Sequence, residues 1–380
     1  MKIVHYDAEH DAFRRRIQLF IEEEIKPQVD EWETNRIMPR SAWRKMGDQG
    51  FLSPSVSSDY GGRGLDFLYD IIITEELSKS DHNGAGPSTH NSIIVPYINT
   101  FASEELKKRF LPGCVSGEVI TAIAISEPDA GSDVAAISTT AVNDGDSVVI
   151  DGSKIFITNG INCDLVLLVA RDPAVENPYK ALSLYLVEAG TPGFEKGKKL
   201  NKMGMYSQDT AELFFSKCRI SKENIVGEPG KGFYMLMEKL QQERLITATW
   251  AISAAEYILD KTLSFYRENS GPQKLIQKSQ AKQFSLVEMA TEVKLGRTFL
   301  DTLIQDHAEG KKVVVEISMA KFWTTEMTRR VANGCLDLFD GNALLEKCPI
   351  VRYWRDSRSM SIFAGTNEIM RRIISKELNL

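Results

Sequence analysis

From Lys231 to the C-terminus, apolar residues recur at the helical period over long stretches: Phe233 to Arg267, Lys278 to Glu309, Val313 to Asp340 and Thr366 to Leu380. Helices of that length carry an apolar stripe that has to be buried, and they bury it best against one another, so residues 230–380 read as a helical bundle. Asn269-Ser270-Gly271-Pro272 marks a break between the first two. The residues before them have another texture. Thr139 to Val142 and Ser147 to Ile150 flank Asn143-Asp144-Gly145-Asp146, a hairpin signal. Short β-rich runs follow at Lys154 to Thr158, Asp164 to Ala170, Leu182 to Val187 and Ala211 to Phe215, separated by Gly and Pro. A middle β-domain, sandwich or barrel, is therefore expected over 119–229. Residues 1–118 read as helices again, with an amphipathic period at Phe13, Ile17, Phe20 and Ile25 that Pro27 interrupts. Leu68 to Leu77 is a second helix, and Ser103-Glu104-Glu105 caps a third. The fold class is mostly α with a central β-domain.

Composition narrows the function. The 380 residues are 43% hydrophobic and 26% charged, which excludes disordered and disulfide-scaffold classes. A net charge of −6 leaves no electrostatic footprint for nucleic acid. Five scattered cysteines, never in a CxxC pair, read as reduced thiols. Met1 to Asp7 has no apolar leader core, and no run of about 18 apolar residues occurs, so a cytoplasmic chain without a membrane span is expected. The histidines lack HxxxH or HExxH spacing, and no G-x-S-x-G elbow, P-loop or strand–GxGxxG–helix unit is present. The GGRG of residues 61–64 is too short for a phosphate loop and reads as a turn.

Three features could carry chemistry. The loop Ile125 to Asp133 is rich in turn formers and can direct backbone N–H groups and Ser oxygens at an oxygen-rich ligand, or simply start a capped helix. At Ala364-Gly365-Thr366-Asn367-Glu368, Thr366 can cap the terminal helix. On the first bundle helix, Leu236, Leu240, Glu243, Thr247, Trp250 and Ala254 form one face. Glu243 interrupts this largely apolar stripe too deep to be a cap. It is either a boundary residue half in water or a carboxylate whose proton affinity is perturbed by an apolar pocket or a partner.

Four segments, in this order and spacing, resemble the acyl-CoA dehydrogenases. They are Ser126-Glu127-Pro128-Asp129-Ala130-Gly131-Ser132-Asp133, Lys154 to Gly160, Lys202-Met203-Gly204 with Asp209-Thr210-Ala211-Glu212, and Gly365-Thr366-Asn367-Glu368-Ile369. The similarity covers nearly the whole chain and is greatest to the long-chain branch around Gln242-Glu243-Arg244-Leu245. It implies a C-terminal four-helix bundle and flavin-dependent dehydrogenation of an acyl-CoA or carrier-bound acyl thioester. Electrons would pass to an electron-transfer flavoprotein, and the assembly would be a homotetramer. Many members place the catalytic Glu just before the last motif, where this chain has Ala364. Long-chain and isovaleryl types place it at the position of Glu243. By the same matching, FAD contacts are expected at Ile125, Ser126, Gly131, Ser132, Phe156, Ile157, Thr158, Gln280, Thr366 and Glu368, and substrate contacts at Ser132, Arg244 and Gly365. Trp250 is a candidate wall of the acyl pocket, or plain core.

Departures from the family pattern gather at the FAD pyrophosphate. Asn269 stands where an Arg is usual, and Asp337-Leu338-Phe339-Asp340-Gly341 replaces Gln-x-x-Gly-Gly, adding two carboxylates. Lys274 or another cation could offset them. Two other readings of the same fold therefore stand beside the dehydrogenase. One is an FAD-independent lyase, isomerase or hydratase using Glu243, and the other is a non-catalytic subunit of a dehydrogenase hetero-oligomer.

Overall fold

The computed structural model describes residues 3–82, 85–268 and 279–380. Asn269 to Gln273 and Lys274 lie outside them. Helices occupy the chain up to Ser116, strands lie between Thr121 and Val226, and helices resume at Gly232.

In the first part, Ala8–Phe20 passes into a π-helical turn, Ile21–Ile25, and a 3₁₀ turn, Lys26–Gln28, that accommodates Pro27 before Val29–Asn35. Asp7 caps the first helix and Ser103 caps Glu104–Ser116. The helix Phe67–Ser78 is buried on every side, including Asp70, Glu75 and Glu76. Its two glutamates are matched across elements, both meeting Arg14. Glu75 pairs with Arg14 at 2.8 Å and with Arg297 at 2.7 Å, and Arg297 also binds Glu256 at 2.8 Å. This cluster ties the first helices to the bundle.

Among the described residues eight strands form one mixed sheet: β1 (Thr121–Ala124), β2 (Thr140–Asp144), β3 (Ser147–Thr158), β4 (Leu165–Arg171), β5 (Leu182–Glu188), β6 (Phe194–Lys199), β7 (Thr210–Ser221) and β8 (Ile225–Val226). Their order is β6-β7-β3-β2-β4-β5-β8, with β1 parallel to β4. The expected hairpin is present, Thr140 pairing with Asp151 and Asp144 with Ser147. Lys154 to Thr158 is the end of β3, not a strand of its own, because Gly152 carries the chain through a bulge. β4 is apolar from Leu165 to Ala170, in keeping with the covering of both of its faces. Val166, Leu168 and Ala170 join Phe215 and Ile220 in a core that the sheet curls around. Leu165, Leu167 and Val169 face Ile94, Tyr97 and Leu236 of the helices.

The bundle is built from Gly232–Glu268, Gln280–Ala308 and Val314–Leu338, here the first, second and third bundle helices, with Val351–Met360 and the terminal helix Asn367–Glu377 against them. The helix Val351–Met360 is charge-rich and carries no apolar run, so pattern alone does not mark it. Among the described residues no helix is long and apolar enough to cross a membrane. All five cysteines are free and buried.

Candidate active site

The loop 125–133 takes its shape from beneath. Glu127 is 6% exposed and forms a 2.8 Å ion pair with the buried Lys154 of β3. It also accepts hydrogen bonds from the Ser138 amide and hydroxyl and from the Thr139 amide. Lys154 Nζ donates to the Ile125 carbonyl at 3.0 Å, and the Ile155 amide donates to that of Ser126 at 2.9 Å. Burial alone would raise Glu127, but Lys154 and these donors hold its carboxyl far down, at about 2. Ser126 is thereby half-buried, while Gly131 and Ser132 stand at the surface, and a Cβ at Gly131 would meet nothing within 4 Å.

On β3 the residues 156–158 split by face. Phe156, at φ 61°, is 68% exposed. Ile157 turns into the sheet core, so only its backbone is available to a ligand. Thr158 Oγ1 accepts from Gln208 Nε2 at 2.9 Å, and the Oε1 of that buried Gln208 has no partner. The segment before β7 joins this surface to the bundle. A Cβ on Gly204 would come within 2.7 Å of Asp356 Oδ1, and Met205 lies in the bundle core with Trp250.

The stripe on the first bundle helix is buried as its spacing predicts. Glu243, again 6% exposed, accepts a 2.8 Å hydrogen bond from the Tyr97 hydroxyl. Burial pushes it up to about 7, against the opposing pull of Tyr97 and Arg244. Arg244 is also buried, burial pulls it below its usual range, and its Nε has no partner. Lys321, fully buried on the third bundle helix, is pulled down to about 7 by burial and by the nearby Arg244. Its ammonium binds the Gly365 carbonyl at 2.6 Å and Asn367 Oδ1 at 3.1 Å. Lys321 thus holds the Ala364-Gly365-Thr366 turn and lies near enough to Arg244 to feel its like charge. Ala364 and Gly365 both have left-handed backbones, φ 53° and 82°. Thr366 caps the terminal helix through the Ile369 amide at 3.3 Å, and Glu368 lies exposed in its first turn. Trp250 belongs to the bundle core, its ring stacked at 5.5 Å on Phe363, next to Ala364.

At the far end, Gln280 is exposed at the start of the second bundle helix. Asp337 is also exposed, and Asp340 is met by Lys282 at 3.2 Å. The added carboxylate at 340 therefore has a cation of its own, supplied by Lys282.

Tyr97, Gln208 and Lys321 escaped the sequence reading. Lys321 could have been found by the test that singled out Glu243, because it breaks the stripe Ile317, Thr324, Thr328, Val331 and Cys335. Tyr97 sits in the apolar run Ile93 to Ile98, where nothing marks its hydroxyl.

A helical part, a mixed sheet and a helical bundle, with a buried carboxylate on the first bundle helix, define an acyl-CoA dehydrogenase fold. The chain matches that family's N-terminal, middle and C-terminal domains at residues 7–118, 122–218 and 230–379. It is 39% identical to the long-chain specific acyl-CoA dehydrogenase, mitochondrial, of Sus scrofa over 374 residues, covering 98% of this chain and 87% of that one. It superposes on the crystal structure of an acyl-CoA dehydrogenase from Geobacillus kaustophilus with a TM-score of 0.97 at 48% identity, covering 99% of both chains. The FAD complex of PigA aligns with a TM-score of 0.92 at 25% identity over 99% of each chain. The chain belongs to the acyl-CoA dehydrogenase family.

Proposed function

We propose that this protein is a flavin-dependent dehydrogenase of an acyl-CoA, or of a carrier-bound acyl thioester, with Glu243 as its base. The observation that carries this reading is the burial of Glu243, which places its proton affinity near neutral pH, where a general base works best. Ala364 has no acidic group to compete for the role, and its backbone amide can assist polarisation of the thioester carbonyl.

The residues fit FAD. Exposed Phe156 offers a flat apolar face, and the unpartnered Gln208 Oε1 beside Thr158 offers an acceptor to an N–H-bearing ring edge. Open space at Gly131 lets the loop approach a bulky group. Ile125, Ser126, Gly131, Ser132, Phe156, Thr158 and the Ile157 backbone would hold the ring and phosphates, with Gln280, Thr366 and Glu368 further along. When bound, FAD supplies the acceptor for the hydride that leaves the β-carbon. Glu243 takes the α-proton, and the substrate's Cα–H electron pair becomes the new double bond. Arg244, buried with an unused N–H, and the Gly365 turn orient the acyl thioester together with Ser132.

The electrons leave to an electron-transfer flavoprotein in this reading, and the chain works in the cytoplasm, in keeping with its reduced cysteines. Assembly as a homotetramer is supported by the second bundle helix, where Leu295 stands 63% exposed with Phe284 and Val287. Beside it an apolar groove of about 310 Å³ is lined by Gly296, Phe299, Met319, Phe322 and Trp323. The test is spectroscopic. The purified protein should be yellow and bleach anaerobically with acyl-CoA, and Glu243→Gln should keep the colour and lose the bleaching. A colourless protein that does not take up added FAD rejects the reading.

A further inference from the structure

The partner of Glu243 is delivered by an irregular helix. Residues His90–Ile94 form a π-helical turn, closed by the Val95 amide bonding the His90 carbonyl, and Val95–Phe101 continues as α-helix. A π turn holds one residue more than an α turn, which rotates every later side chain by about 100° around the axis. Its side chains are anchored on three sides. His90 binds the Cys114 carbonyl at 3.0 Å and Thr121 Oγ1 at 2.8 Å. Asn91 bridges the Ser53 amide and the Phe51 carbonyl, and Ser92 donates to the buried Asp70 at 2.9 Å. Gln242 Nε2 donates to the Ser92 carbonyl at 2.7 Å. Consecutive residues of the first bundle helix, Gln242 and Glu243, therefore both engage this segment, one at the turn and one at Tyr97.

We infer that Tyr97 is a positioning residue for the base. Its buried hydroxyl, aimed by the π turn, fixes the rotamer of the Glu243 carboxylate and favours its ionised form. The inference rests on the reading of Glu243 as base. Tyr97 stays a phenol across the working range, because burial and the neighbouring Glu243 and Glu238 hold it well above its ordinary value. Among the described residues the charged group that acts directly on the carboxylate is Arg244 on its own helix; Glu238 lies by Tyr97, Lys321 by Arg244, and Asp70 beyond Ser92 and Gln242. Burial also raises Asp70 to about 7, so a titration has to tell the two carboxyls apart.

Protein labelled with carbon-13 at the glutamate carboxyl alone does so. The NMR resonance lost in Glu243→Gln belongs to Glu243, and its midpoint can be read with no substrate present. In Tyr97→Phe that midpoint should rise by about one pH unit, a tenfold gain in proton affinity. The acid limb of kcat/KM should move with it. An unchanged midpoint in folded Tyr97→Phe, or in folded Tyr97→Met should the first variant not fold, overturns the inference. Full proton abstraction in Glu243→Gln instead overturns the assignment of the base, so the two failures are distinct.

Discussion

Glu127 and Glu243 are the same residue type, each 6% exposed, with Glu243 the deeper of the two, and they behave in opposite ways. Glu127 has a lysine and hydrogen bonds from Ser138 and Thr139, and its carboxyl is held at about 2. Glu243 has one hydroxyl and a flanking arginine, and it sits at about 7. A buried carboxylate whose lone pairs are all met stabilises structure, while one left half-satisfied keeps an affinity for protons that chemistry can use. The first shapes a loop; the second keeps a proton affinity near neutral pH.

The contrast can be broken at either glutamate. The largest effect is expected at Glu243→Gln, where acyl-CoA-driven flavin reduction should fall by about 10²–10⁴-fold. The same variant sharpens the comparison through stability. Because folding raises the Glu243 carboxyl above its ordinary 4.5, its contribution is full below pH 4.5 and is lost as pH rises through about 7. Glutamine stays neutral, so at pH 8 urea unfolding should show a gain of up to about 3 kcal/mol, absent at pH 4. A loss of stability at pH 8 would mean that the two carboxylates do not differ in kind.

Lys154→Ala should act in the opposite sense, destabilising by about 3–5 kcal/mol and releasing FAD, since it strands a buried charge. Folding depresses the carboxyl of Glu127, so its stabilisation is present above the ordinary 4.5 and is lost as pH falls through about 2. Denaturant midpoints and flavin content measure both, and native flavin content in Lys154→Ala would refute the role of the pair in shaping the loop. Thr366→Ala removes a cap and should cost about 1 kcal/mol, read as faster amide exchange in Asn367–Glu377. Lys282→Ala should change stability by only about 0–1 kcal/mol, because its pair with Asp340 is exposed. If Lys282 does offset that carboxylate, FAD affinity drops by up to about tenfold, and a titration showing no change would remove it from the cofactor site.

Much of this was legible from spacing. The long helical period predicts the bundle, and short β-rich runs predict the sheet, although β3 is one bulged strand where the runs suggest two, and β1, β6 and β8 have no matching run. The stripe on the first bundle helix exposed Glu243 because a charge in an apolar row is a local anomaly. Lys321 carries the same mark on the third bundle helix. Tyr97 carried none, since a tyrosine is ordinary among Ile and Val, and its hydroxyl gains meaning only from what lies opposite.

The sequence by itself determined the order of helical and β-rich parts, the loop of short polar residues at 125–133, and the one acidic residue on the buried stripe of the first bundle helix, since each is written in the period or chemistry of neighbouring residues. Only the tertiary structure decided what each buried charge meets. Glu127 and Lys154 are 27 residues apart, Tyr97 and Glu243 146, and Lys321 and Gly365 44. Proton affinity depends on burial and partners in space, so two glutamates of the same chemistry come to opposite ends in the folded protein.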